Sequence, residues 1–382
     1  MSEESGSGER LEHRGPIVLM SANSAWNIAY FRAGLVRALV EKGYRVAVAA
    51  PRDEWADRLA DLGADFIDLP IDSSGASPIR DARLLLRYRR LMRELRPFAF
   101  LGFTAKPNIY GSLAAGFAGT KVINNITGLG TVFIKRSPLT RVVTELYRAA
   151  LRRSSTVFFQ NPEDLEFFIS KGLVRRPQAH PIPGDGIDLI RFQPEFSSDS
   201  SGPVRFLLIA RLLWDKGVGE FVDAARMLRR VKANATFQIL GPSDVDNRTA
   251  VPASTLAQWR EEAVVDYLGA ADDVRPAIRE CDCVVLPSYR EGLPRTLLEG
   301  SAMGKLLVAT DVPGCRDVVI DGETGFLCEV RSAAGLAEAM QAVVDLSPEQ
   351  RTEMGRKGRA FIEANFSEAL VAAKYLEALG RP

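Results

Sequence analysis

Short apolar runs alternate with longer segments of helical periodicity along the chain from residue 16 onward. The runs are rich in β-branched residues, as buried strands are, whereas the longer segments place apolar residues three or four positions apart. The predicted strands are residues 17–20, 45–50, 66–69, 98–103, 121–126, 156–160, 204–210, 236–240, 264–268, 283–287, 306–310 and 326–330. The predicted helices are residues 28–41, 55–62, 82–95, 108–117, 139–151 and 162–170, with others between the later strands and three from about 333 to 379. Strands that are apolar throughout and separated by helices predict parallel sheets with helices on both faces.

One break interrupts this alternation. Residues 192–203 are rich in Ser, Pro and Gly, which is typical of a linker between domains. The simplest architecture is therefore an α/β chain with two Rossmann-like, doubly wound domains at 15–192 and 204–365, a linker at 193–203 and a flexible tail at 1–14. Doubly wound sheets bind ligands beyond the carboxyl ends of their strands, so we expect the functional site in a cleft between the two domains.

Length and composition fit two globular domains. The chain has 382 residues, of which 46% are hydrophobic and 25% are charged, and this balance argues against a disordered or fibrous protein. No apolar stretch approaches the ~18 residues of a membrane-spanning helix, and the polar N-terminus lacks the pattern of a signal peptide. Four Cys are too few for a disulfide scaffold, so we expect a cytoplasmic protein.

The net charge of +1 conceals a strongly basic region. Residues 80–153 hold 15 Lys and Arg against three Asp and Glu, whereas residues 201–382 hold 22 against 26. A solvated basic helix face packed on the sheet would explain this region without any function. An anionic membrane surface is the alternative partner, since anionic lipid attracts each nearby basic residue by about 1 kcal/mol, and a lipid-linked acceptor would favour it. Nucleic acid is the competing polyanion, but the region has no recognised nucleic-acid motif and few interleaved aromatic residues.

The most informative stretch follows the predicted strand at 283–287. A loop there carries Glu291 and Gly292, and Pro294 suits the first turn of the next helix, where its missing N–H is no loss. The backbone N–H groups that follow would point out of the helix start, an arrangement that binds phosphate. These N–H groups belong to Arg295, Thr296 and Leu297.

Two carboxylates flank this helix start. Glu299 lies inside the helix, about 7 Å further along at 1.5 Å per residue, where it would accept hydrogen bonds from ribose hydroxyls. Glu291, on the loop, would hold hydroxyls on the opposite side of the phosphates. Two Glu eight residues apart mean little alone, but a strand, Glu-Gly-x-Pro, a helix and a second Glu together form a specific pattern.

Two further elements support this pattern. Arg211 lies just past the strand at 204–210 and Lys216 opens the next helix, so two cations stand where they would neutralise a diphosphate. Either one alone is most simply a solvated surface charge. Gly184 and Gly186, in Pro-Gly-Asp-Gly-Ile-Asp at 183–188, allow a positive φ and the close approach of a ligand, although an ordinary turn also fits.

Together these motifs resemble those of the family 4 glycosyltransferases, which have the GT-B fold. The resemblance covers about residues 15–380 and rests on Gly-Asp-Gly-Ile-Asp at 184–188, Ala-Arg-Leu-Leu-Trp-Asp-Lys-Gly at 210–217, Glu-Gly-Leu-Pro-Arg-Thr-Leu-Leu-Glu at 291–299, Pro-Gly-Cys-Arg-Asp-Val-Val at 313–319 and Asp-Gly-Glu-Thr-Gly-Phe-Leu at 321–327. It implies two facing Rossmann-like domains and a C-terminal helix, at about 366–382, that packs back on the first domain. It also implies a nucleotide-sugar donor, most often UDP-linked, and retention of the anomeric configuration.

The same resemblance assigns roles to residues. Arg211 and Lys216 match the diphosphate-binding pair, Glu291 matches the residue that contacts the hydroxyls of the donor sugar, and Glu299 matches the ribose-binding carboxylate. We expect Arg211, Lys216 and Glu291 to be catalytic. The remaining donor-side residues are Gly186, Gly292, Leu293, Pro294, Arg295, Thr296 and Leu297.

Three segments of the first half resemble one branch of the family, which extends undecaprenyl-diphosphate-linked glycans for capsule, O-antigen or protein glycosylation. They are Ser-Ala-Trp-Asn-Ile-Ala-Tyr-Phe-Arg at 24–32, Thr-Ala-Lys-Pro-Asn-Ile-Tyr-Gly at 104–111 and Ile-Thr-Gly-Leu-Gly-Thr-Val-Phe at 126–133. This branch implies a lipid-linked saccharide acceptor, a peripheral location at the inner face of the cell membrane, and N-acetylhexosamine as the favoured donor sugar. The expected acceptor-side residues are Asn27, Lys106, Thr127 and Gly128.

The first half also departs from the family pattern. Many members carry a His in the first-domain active site, whereas the two His of this chain are His13 and His180. The Gly-Gly loop that is common after the first strand is replaced by Ala-Asn-Ser-Ala-Trp-Asn at 22–27. With no His available, we expect no dedicated protein base: the acceptor hydroxyl attacks from the leaving-group side and a donor phosphate oxygen takes its proton. Arg211, Lys216 and the helix start at 295–297 would supply the positive charge, so we expect no metal or other cofactor.

Two other functions stay open on this fold. One is a UDP-sugar 2-epimerase, which needs acid–base groups and is therefore disfavoured by the scarcity of His in the first half. The other is a non-catalytic nucleotide-sugar-binding protein, which would not need the charged residues that this chain retains. Two metal signals are weak. Asp-Val-Asp at 244–246 stands in a loop after Gly241 and Pro242, and the four Cys lack the paired spacing of zinc sites.

Overall fold

The computed structural model of the chain describes residues 15–72, 77–128, 138–194, 202–243, 247 and 249–381, without the side chains of 138–140. Some predicted features lie outside these residues. They are the tail at 1–14, most of the linker at 193–203, the end of the segment at 126–133 and Asp-Val-Asp at 244–246.

The described strands form two sheets. The first contains β1 (Ile17–Ser21), β2 (Arg45–Ala50), β3 (Ala64–Asp68), β4 (Ala99–Gly102), β5 (Lys121–Ile126), β6 (Thr156–Phe159) and β7 (Ala179–Pro181), in the order β3-β2-β1-β4-β5-β6-β7. The second contains β8 (Val204–Ile209), β9 (Ala235–Leu240), β10 (Asp266–Tyr267), β11 (Cys283–Leu286), β12 (Leu306–Thr310) and β13 (Gly325–Cys328), in the order β10-β9-β8-β11-β12-β13. Neighbouring strands run parallel from β3 to β5 and throughout the second sheet. The predicted pair of doubly wound parallel sheets is confirmed.

The α-helices connect these strands. They are α1 (Ala25–Phe31), α2 (Ala33–Glu41), α3 (Arg58–Asp61), α4 (Pro78–Leu95), α5 (Ser112–Phe117), α6 (Pro138–Leu151), α7 (Pro162–Ser170), α8 (Val218–Arg230), α9 (Ala253–Glu261), α10 (Arg275–Glu280), α11 (Arg295–Ala302), α12 (Ala333–Asp345), α13 (Pro348–Asn365) and α14 (Glu368–Leu379).

β8 shows why the inner part of a central strand, Phe206 to Ile209, is apolar. Phe206 and Leu208 join a core cluster on one face of the second sheet, whereas Leu207 and Ile209 join another on the opposite face. All four side chains are buried, because α8 and α12 supply residues to the first cluster and α11 and α13 supply residues to the second. Where helices cover both faces of a central strand, no polar side chain would reach water, whereas Arg205, near the start of β8, remains partly exposed.

The chain divides into two compact units. The first unit comprises the residues up to Phe158, then Phe168–His180 and the chain from Ala372; the second unit comprises Phe159–Phe167 and Pro181–Val371. The end of α14 belongs to the first unit through Tyr375. The hydroxyl of Tyr375 accepts a hydrogen bond from Asn125 Nδ2 at 2.9 Å, and its ring centre lies 4.9 Å from that of Phe158.

The predicted helix at 28–41 is wrong in one respect, because the structure has two helices there. α1 and α2 are separated at Arg32, whose backbone (φ −127°, ψ 17°) leaves the helical region. The buried Arg32 guanidinium lies 4.3 Å from the centre of the Phe103 ring and donates to the Asn27 side chain at 2.6 Å. These contacts join separate segments of the chain, so helical periodicity does not reveal them.

Two other predicted helices differ in form. The segment at 108–117 starts as a π-helical turn, Pro107–Gly111, before α5. A Cβ on Gly111 would lie 2.2 Å from the Phe100 ring, so the glycine allows this turn to pack on β4. The helix predicted at 55–62 shortens to α3.

Candidate active site

Three loops meet at the carboxyl edge of the second sheet. β8, β11 and β12 are parallel neighbours there, so the residues that follow them lie side by side. We call residues 210–217 the β8 loop, 287–294 the β11 loop and 311–319 the β12 loop. Together with the start of α11 they carry most of the residues that the sequence predicts for donor binding.

The β8 loop packs directly on the β11 loop. The N–H of Tyr289 donates to the carbonyl of Asp215 at 2.9 Å. Gly217 has a φ of +71°, and a Cβ on it would lie 2.1 Å from the carbonyl oxygen of Pro287. Only glycine allows this approach, which holds the preceding Lys216 beside the β11 loop.

The β12 loop holds the β11 loop from the other side. Gly314 has a φ of +81°, and a Cβ on it would lie 2.3 Å from the carbonyl oxygen of Gly292. At the base of the loop, the Thr310 hydroxyl donates to the carbonyl of Ser288 at 2.5 Å. The β11 loop is therefore fixed on both sides by backbone contacts.

Lys216 and Glu291 form an ion pair at the centre of this edge. Lys216 Nζ lies 2.5 Å from Glu291 Oε1, and the two side chains are 22% and 14% exposed. Because both charges are largely removed from water, deleting one partner would leave the other poorly compensated. Arg211, which follows β8 closely, is exposed, and within the described residues its side chain makes no hydrogen bond or ion pair.

The start of α11 differs from the prediction. The helix begins at Arg295, so Pro294 is its N-cap rather than a residue of its first turn. The N–H of Leu297 donates to the carbonyl of Pro294 at 3.1 Å, so the prediction that this N–H points out freely is wrong. A bond of this type tightens the end of a helix and satisfies a donor that would otherwise lack an intrahelical partner. Thr296 Oγ1 donates to the carbonyl of Ile209 at 3.2 Å and ties the helix start to β8.

Glu299 lies one turn into α11 and is only 4% exposed. Its Oε1 accepts a hydrogen bond from Arg295 Nε at 2.9 Å, and Arg295 also donates to the carbonyl of Gly186 at 3.3 Å. Burial raises the pKa of Glu299, while the charges of Arg295 and then Arg191 act in the opposite direction. The carboxylate is thus held in a fixed position by a cation that also touches the turn at 183–188.

The glycines of that turn have a packing reason. Gly184 (φ +62°) faces Leu293, whose Cδ2 would lie 2.4 Å from an added Cβ. Gly186 (φ +76°) faces the backbone of Glu368, whose Cα would lie 2.7 Å from an added Cβ. The positive φ predicted for these glycines is present, and the close approach that they allow in this structure is to the protein chain. This approach brings Leu293 of the β11 loop onto the turn.

Two family models match the chain, one in each half. Residues 28–185 match the model described as "Glycosyl transferase 4-like domain", and residues 203–345 match the model described as "Glycosyl transferases group 1". The chain is a family 4 glycosyltransferase. The predicted enzyme class is confirmed.

Curated relatives cover most of this glycosyltransferase. It is 27% identical over 372 residues to the N,N'-diacetylbacillosaminyl-diphospho-undecaprenol alpha-1,3-N-acetylgalactosaminyltransferase of Campylobacter jejuni, covering 93% of this chain and 96% of the relative. It is 24% identical to a UDP-Gal:alpha-D-GlcNAc-diphosphoundecaprenol alpha-1,3-galactosyltransferase of Escherichia coli, covering 70% and 72%.

Solved structures show the same fold. Anabaena HepE in complex with UDP and glucose matches with a TM-score of 0.78 and 18% identity, covering 95% of this chain and 99% of that one. A glycosyltransferase from Rickettsia africae matches with a TM-score of 0.78 and 17% identity, covering 96% and 98%. The predicted GT-B fold is confirmed.

The predicted acceptor-side residues of the glycosyltransferase lie in the first unit. Asn27 is in α1, where its side chain accepts the hydrogen bond from Arg32. Lys106 precedes the π-helical turn, and its Nζ lies 2.8 Å from Asp81 Oδ1. Thr127 and Gly128 follow β5, with Thr127 exposed. Asn27, Lys106 and Thr127 follow β1, β4 and β5, which are neighbouring parallel strands, so they lie along the carboxyl edge of the first sheet, although within the described residues no hydrogen bond or ion pair joins them.

One pair beside the β11 loop was missed in the sequence. Arg290, next to Glu291, lies 3.1 Å from Asp164 of α7, and the Asp164 side chain is only 2% exposed. Burial raises the pKa of Asp164, and Asn161 and Arg290 oppose that shift. The two residues are 126 positions apart, so no local pattern in the sequence would have paired them.

The described residues contain neither a membrane-spanning helix nor a cluster of metal ligands. No helix among them has the length and apolar character needed to cross a bilayer. No group of three or more His, Cys, Asp or Glu stands close enough, in the described part of the chain, to hold a metal ion.

Proposed function

We propose that this glycosyltransferase transfers a sugar of the N-acetylhexosamine type from a UDP-sugar to a lipid-diphosphate-linked saccharide in the synthesis of a surface polysaccharide or glycan. The observation that carries the proposal is the Lys216–Glu291 pair, 2.5 Å apart, beside the start of α11. The relatives support the acceptor and the sugar, since the Campylobacter enzyme is named for transfer of N-acetylgalactosamine to a diphospho-undecaprenol substrate. The name of the Escherichia coli enzyme supports UDP as the carrier.

The main energetic cost of this reaction is the negative charge that develops on the leaving group. As the bond between the sugar C1 and the β-phosphate oxygen breaks, charge develops on the departing UDP, and fixed donors aimed at that charge are usually the largest catalytic contribution. Lys216 is already fixed by Glu291, and Arg211 is exposed at the same edge. In this proposal Lys216 and Arg211 stabilise the leaving diphosphate.

The carboxylates hold the two sugars of the donor. Glu291 binds hydroxyls of the sugar that is transferred and keeps Lys216 oriented. Glu299, buried inside α11 and fixed by Arg295, accepts hydrogen bonds from the ribose of UDP. The backbone from Gly292 to Thr296 lines the phosphates between them.

The reaction retains the anomeric configuration in this proposal. The acceptor hydroxyl attacks C1 from the side that UDP leaves, so a new C1–O bond forms as the C1–phosphate bond breaks. The hydroxyl proton moves to the departing phosphate oxygen, which makes a separate protein base unnecessary. The two cations supply the positive charge, so we expect turnover to survive EDTA; complete loss in EDTA, restored by manganese, would contradict this step.

The first unit would bring the enzyme to its lipid acceptor. On α4, Ile79 and Leu86 are 67% and 62% exposed and lie two turns apart on one face. Arg83, Arg90 and Arg93 are exposed around them. Exposed apolar side chains within a basic surface are suited to the interface of an anionic membrane, which supports a peripheral location at the inner face of the cell membrane.

A panel of UDP-sugars, assayed with and without membrane lipid extract, tests this function. We expect one UDP-N-acetylhexosamine to be consumed only when lipid is present, with the label recovered in the organic phase and UDP released. Epimerised UDP-sugar without any acceptor would instead indicate a 2-epimerase. Tight UDP binding with no turnover of any donor would indicate a non-catalytic binding protein.

A further inference from the structure

A basic cavity lies at the carboxyl edge of the first sheet. Its volume is about 430 Å³, within the usual range of small-molecule sites. The floor is formed by residues that follow β2 and β3, among them Pro51, Pro70 and Asp72. α4 forms one wall, and Lys106, which follows β4, also lines the cavity.

Positive charge dominates the lining. Four cations face two carboxylates, which leaves two formal positive charges in the cavity. The cations are Arg80, Arg83, Arg87 and Lys106, and the carboxylates are Asp72 and Asp81. Cations that outnumber the nearby carboxylates repel one another, and a bound anion would relieve this repulsion. Phosphate suits such a site because the guanidinium group of Arg matches the geometry of its oxygens.

Two of the cations are fixed in place by the carboxylates. Lys106 Nζ lies 2.8 Å from Asp81 Oδ1, with the side chains 16% and 11% exposed, and Arg80 lies 2.8 Å from Asp72. The phenol of Tyr110 also hydrogen-bonds Asp81, and together with burial this raises the pKa of Tyr110. The two carboxylates thus hold Lys106 and Arg80 in position through ion pairs.

The other two cations do not serve the fold in this way. Arg87 donates to the carbonyl of Pro70 at 3.3 Å, and within the described residues Arg83 makes no hydrogen bond or ion pair. Both are exposed within the first three turns of α4, and neither has a carboxylate partner among the described residues. Within the described part of the chain, the charges of these two arginines are therefore left uncompensated.

We propose that this cavity binds a diphosphate group, with Arg83 and Arg87 as the cations that have no carboxylate partner among the described residues and Lys106 as the cation held by Asp81. This inference rests on the proposed function, since the ligand would be the diphosphate that joins the acceptor saccharide to its lipid. The cavity then positions the acceptor by binding its diphosphate, while the lipid lies toward the exposed face of α4. In this proposal Lys106 contributes to the acceptor side as a ligand of phosphate.

Phosphate chemistry at this position could also come from the head groups of anionic lipids, so the test has two arms. In the first, geranyl diphosphate is titrated calorimetrically, without membranes, into the full chain and its variants. In the second, the same proteins are sedimented with phosphatidylcholine–phosphatidylglycerol vesicles that contain no diphosphate. The variants are Arg83→Ala/Arg87→Ala and, as a control on the same helix outside the cavity, Arg93→Ala.

In the first arm we expect the double variant to bind geranyl diphosphate at least tenfold more weakly, while Arg93→Ala stays within twofold of the wild type. In the second arm each substituted arginine should weaken vesicle binding to a similar extent. Circular dichroism melting checks that the variants fold. Equal affinities of the double variant and Arg93→Ala for geranyl diphosphate would overturn the proposal, and so would vesicle binding that depends on Arg83 and Arg87 alone.

The proposal and the proposed function can fail separately. Lipid-dependent consumption of a UDP-sugar that is unchanged in the double variant would leave the function standing and remove the cavity from it. Tight binding of geranyl diphosphate at the cavity, with no transfer to any lipid acceptor, would contradict the function and retain the site.

Discussion

The carboxyl edges of the two sheets differ in how their charges are balanced. At the edge of the second sheet, Lys216 is paired with Glu291 and Arg295 with Glu299, and both pairs are largely buried. At the edge of the first sheet, the cavity beside α4 holds two more cations than carboxylates, and its unpaired cations are exposed. Apart from the exposed Arg211, the edge of the second sheet thus carries paired and largely buried charges, whereas the edge of the first sheet is open and basic.

This difference matches two kinds of phosphate ligand. A donor whose bond must break needs cations that are already oriented when charge develops, because fixed dipoles need no reorganisation during the reaction. An acceptor whose diphosphate does not react needs only to be captured, and exposed arginines serve that purpose. The comparison predicts that substitutions at the second edge affect turnover, whereas those at the first affect acceptor binding.

The largest effect is expected for Lys216→Ala, which should lower kcat by about 10²- to 10³-fold, as loss of an oxyanion donor does. The exposed Arg230→Ala in α8 is the control and should leave kcat within twofold. In Lys216→Ala the Glu291 carboxylate is left without its cation. The double variant Lys216→Ala/Glu291→Gln also removes that negative charge, so it should be more thermally stable than Lys216→Ala but no more active. Recovery of kcat in this double variant would assign Lys216 a structural role alone.

Glu299→Gln should weaken UDP binding at neutral pH by about 10- to 100-fold, in line with hydrogen bonds to a charged group. Because burial raises the pKa of Glu299, its carboxylate takes up a proton at a higher pH than a free Glu, whose pKa is about 4.3. The wild-type advantage over Glu299→Gln should therefore shrink as the pH is lowered, beginning above that value. Calorimetric titration of UDP across pH measures this ratio, and a constant ratio would contradict the role of the carboxylate.

Gly314→Ala should destabilise the second unit more than Gly322→Ala. Both glycines have a positive φ, +81° and +73°, but a Cβ on Gly314 would meet the Gly292 carbonyl at 2.3 Å, whereas one on Gly322 would meet nothing within 4 Å. The difference in the free energy of unfolding should be about 1–3 kcal/mol, as for other overpacked sites. Urea denaturation measures it, and equal stabilities would show that the β12 loop does not fix the β11 loop.

The smallest effect is expected at the membrane surface. Leu86→Ser on α4 should weaken binding to anionic vesicles by about fivefold, since partial burial of a Leu side chain contributes about 1 kcal/mol. Ile190→Ser is the control, because Ile190 is 84% exposed but lies in the second unit. A loss of vesicle binding that is equal in both variants would place the membrane contact elsewhere than on α4.

The sequence predicted the sheets well because their strands are apolar on both faces, as β8 shows. It also predicted that Lys216, Glu291 and Glu299 belong to one edge, since motifs that follow neighbouring parallel strands meet there. Contacts between segments that are distant in the chain could not be predicted from the sequence. Arg32, where α1 and α2 separate, contacts the Phe103 ring of a distant segment, and the Arg290–Asp164 pair joins residues 126 positions apart.

The prediction for the N-terminal end of α11 was wrong for a different reason. Pro294 suits either the N-cap or the first helical residue, and local sequence does not decide between them. The choice determines which N–H groups remain for a ligand, because Leu297 donates to the Pro294 carbonyl. A phosphate at this helix start would therefore depend more on Lys216 and Arg211 than on the backbone.

A crossed titration tests most directly whether the two edges bind different partners. UDP and geranyl diphosphate are each titrated into the wild type, Lys216→Ala and Arg83→Ala/Arg87→Ala under the same conditions. We predict that Lys216→Ala loses affinity for UDP and retains it for geranyl diphosphate, and that the arginine variant shows the opposite pattern. If either variant weakened both ligands equally, the two edges would not be separate sites and the division between donor and acceptor would be wrong.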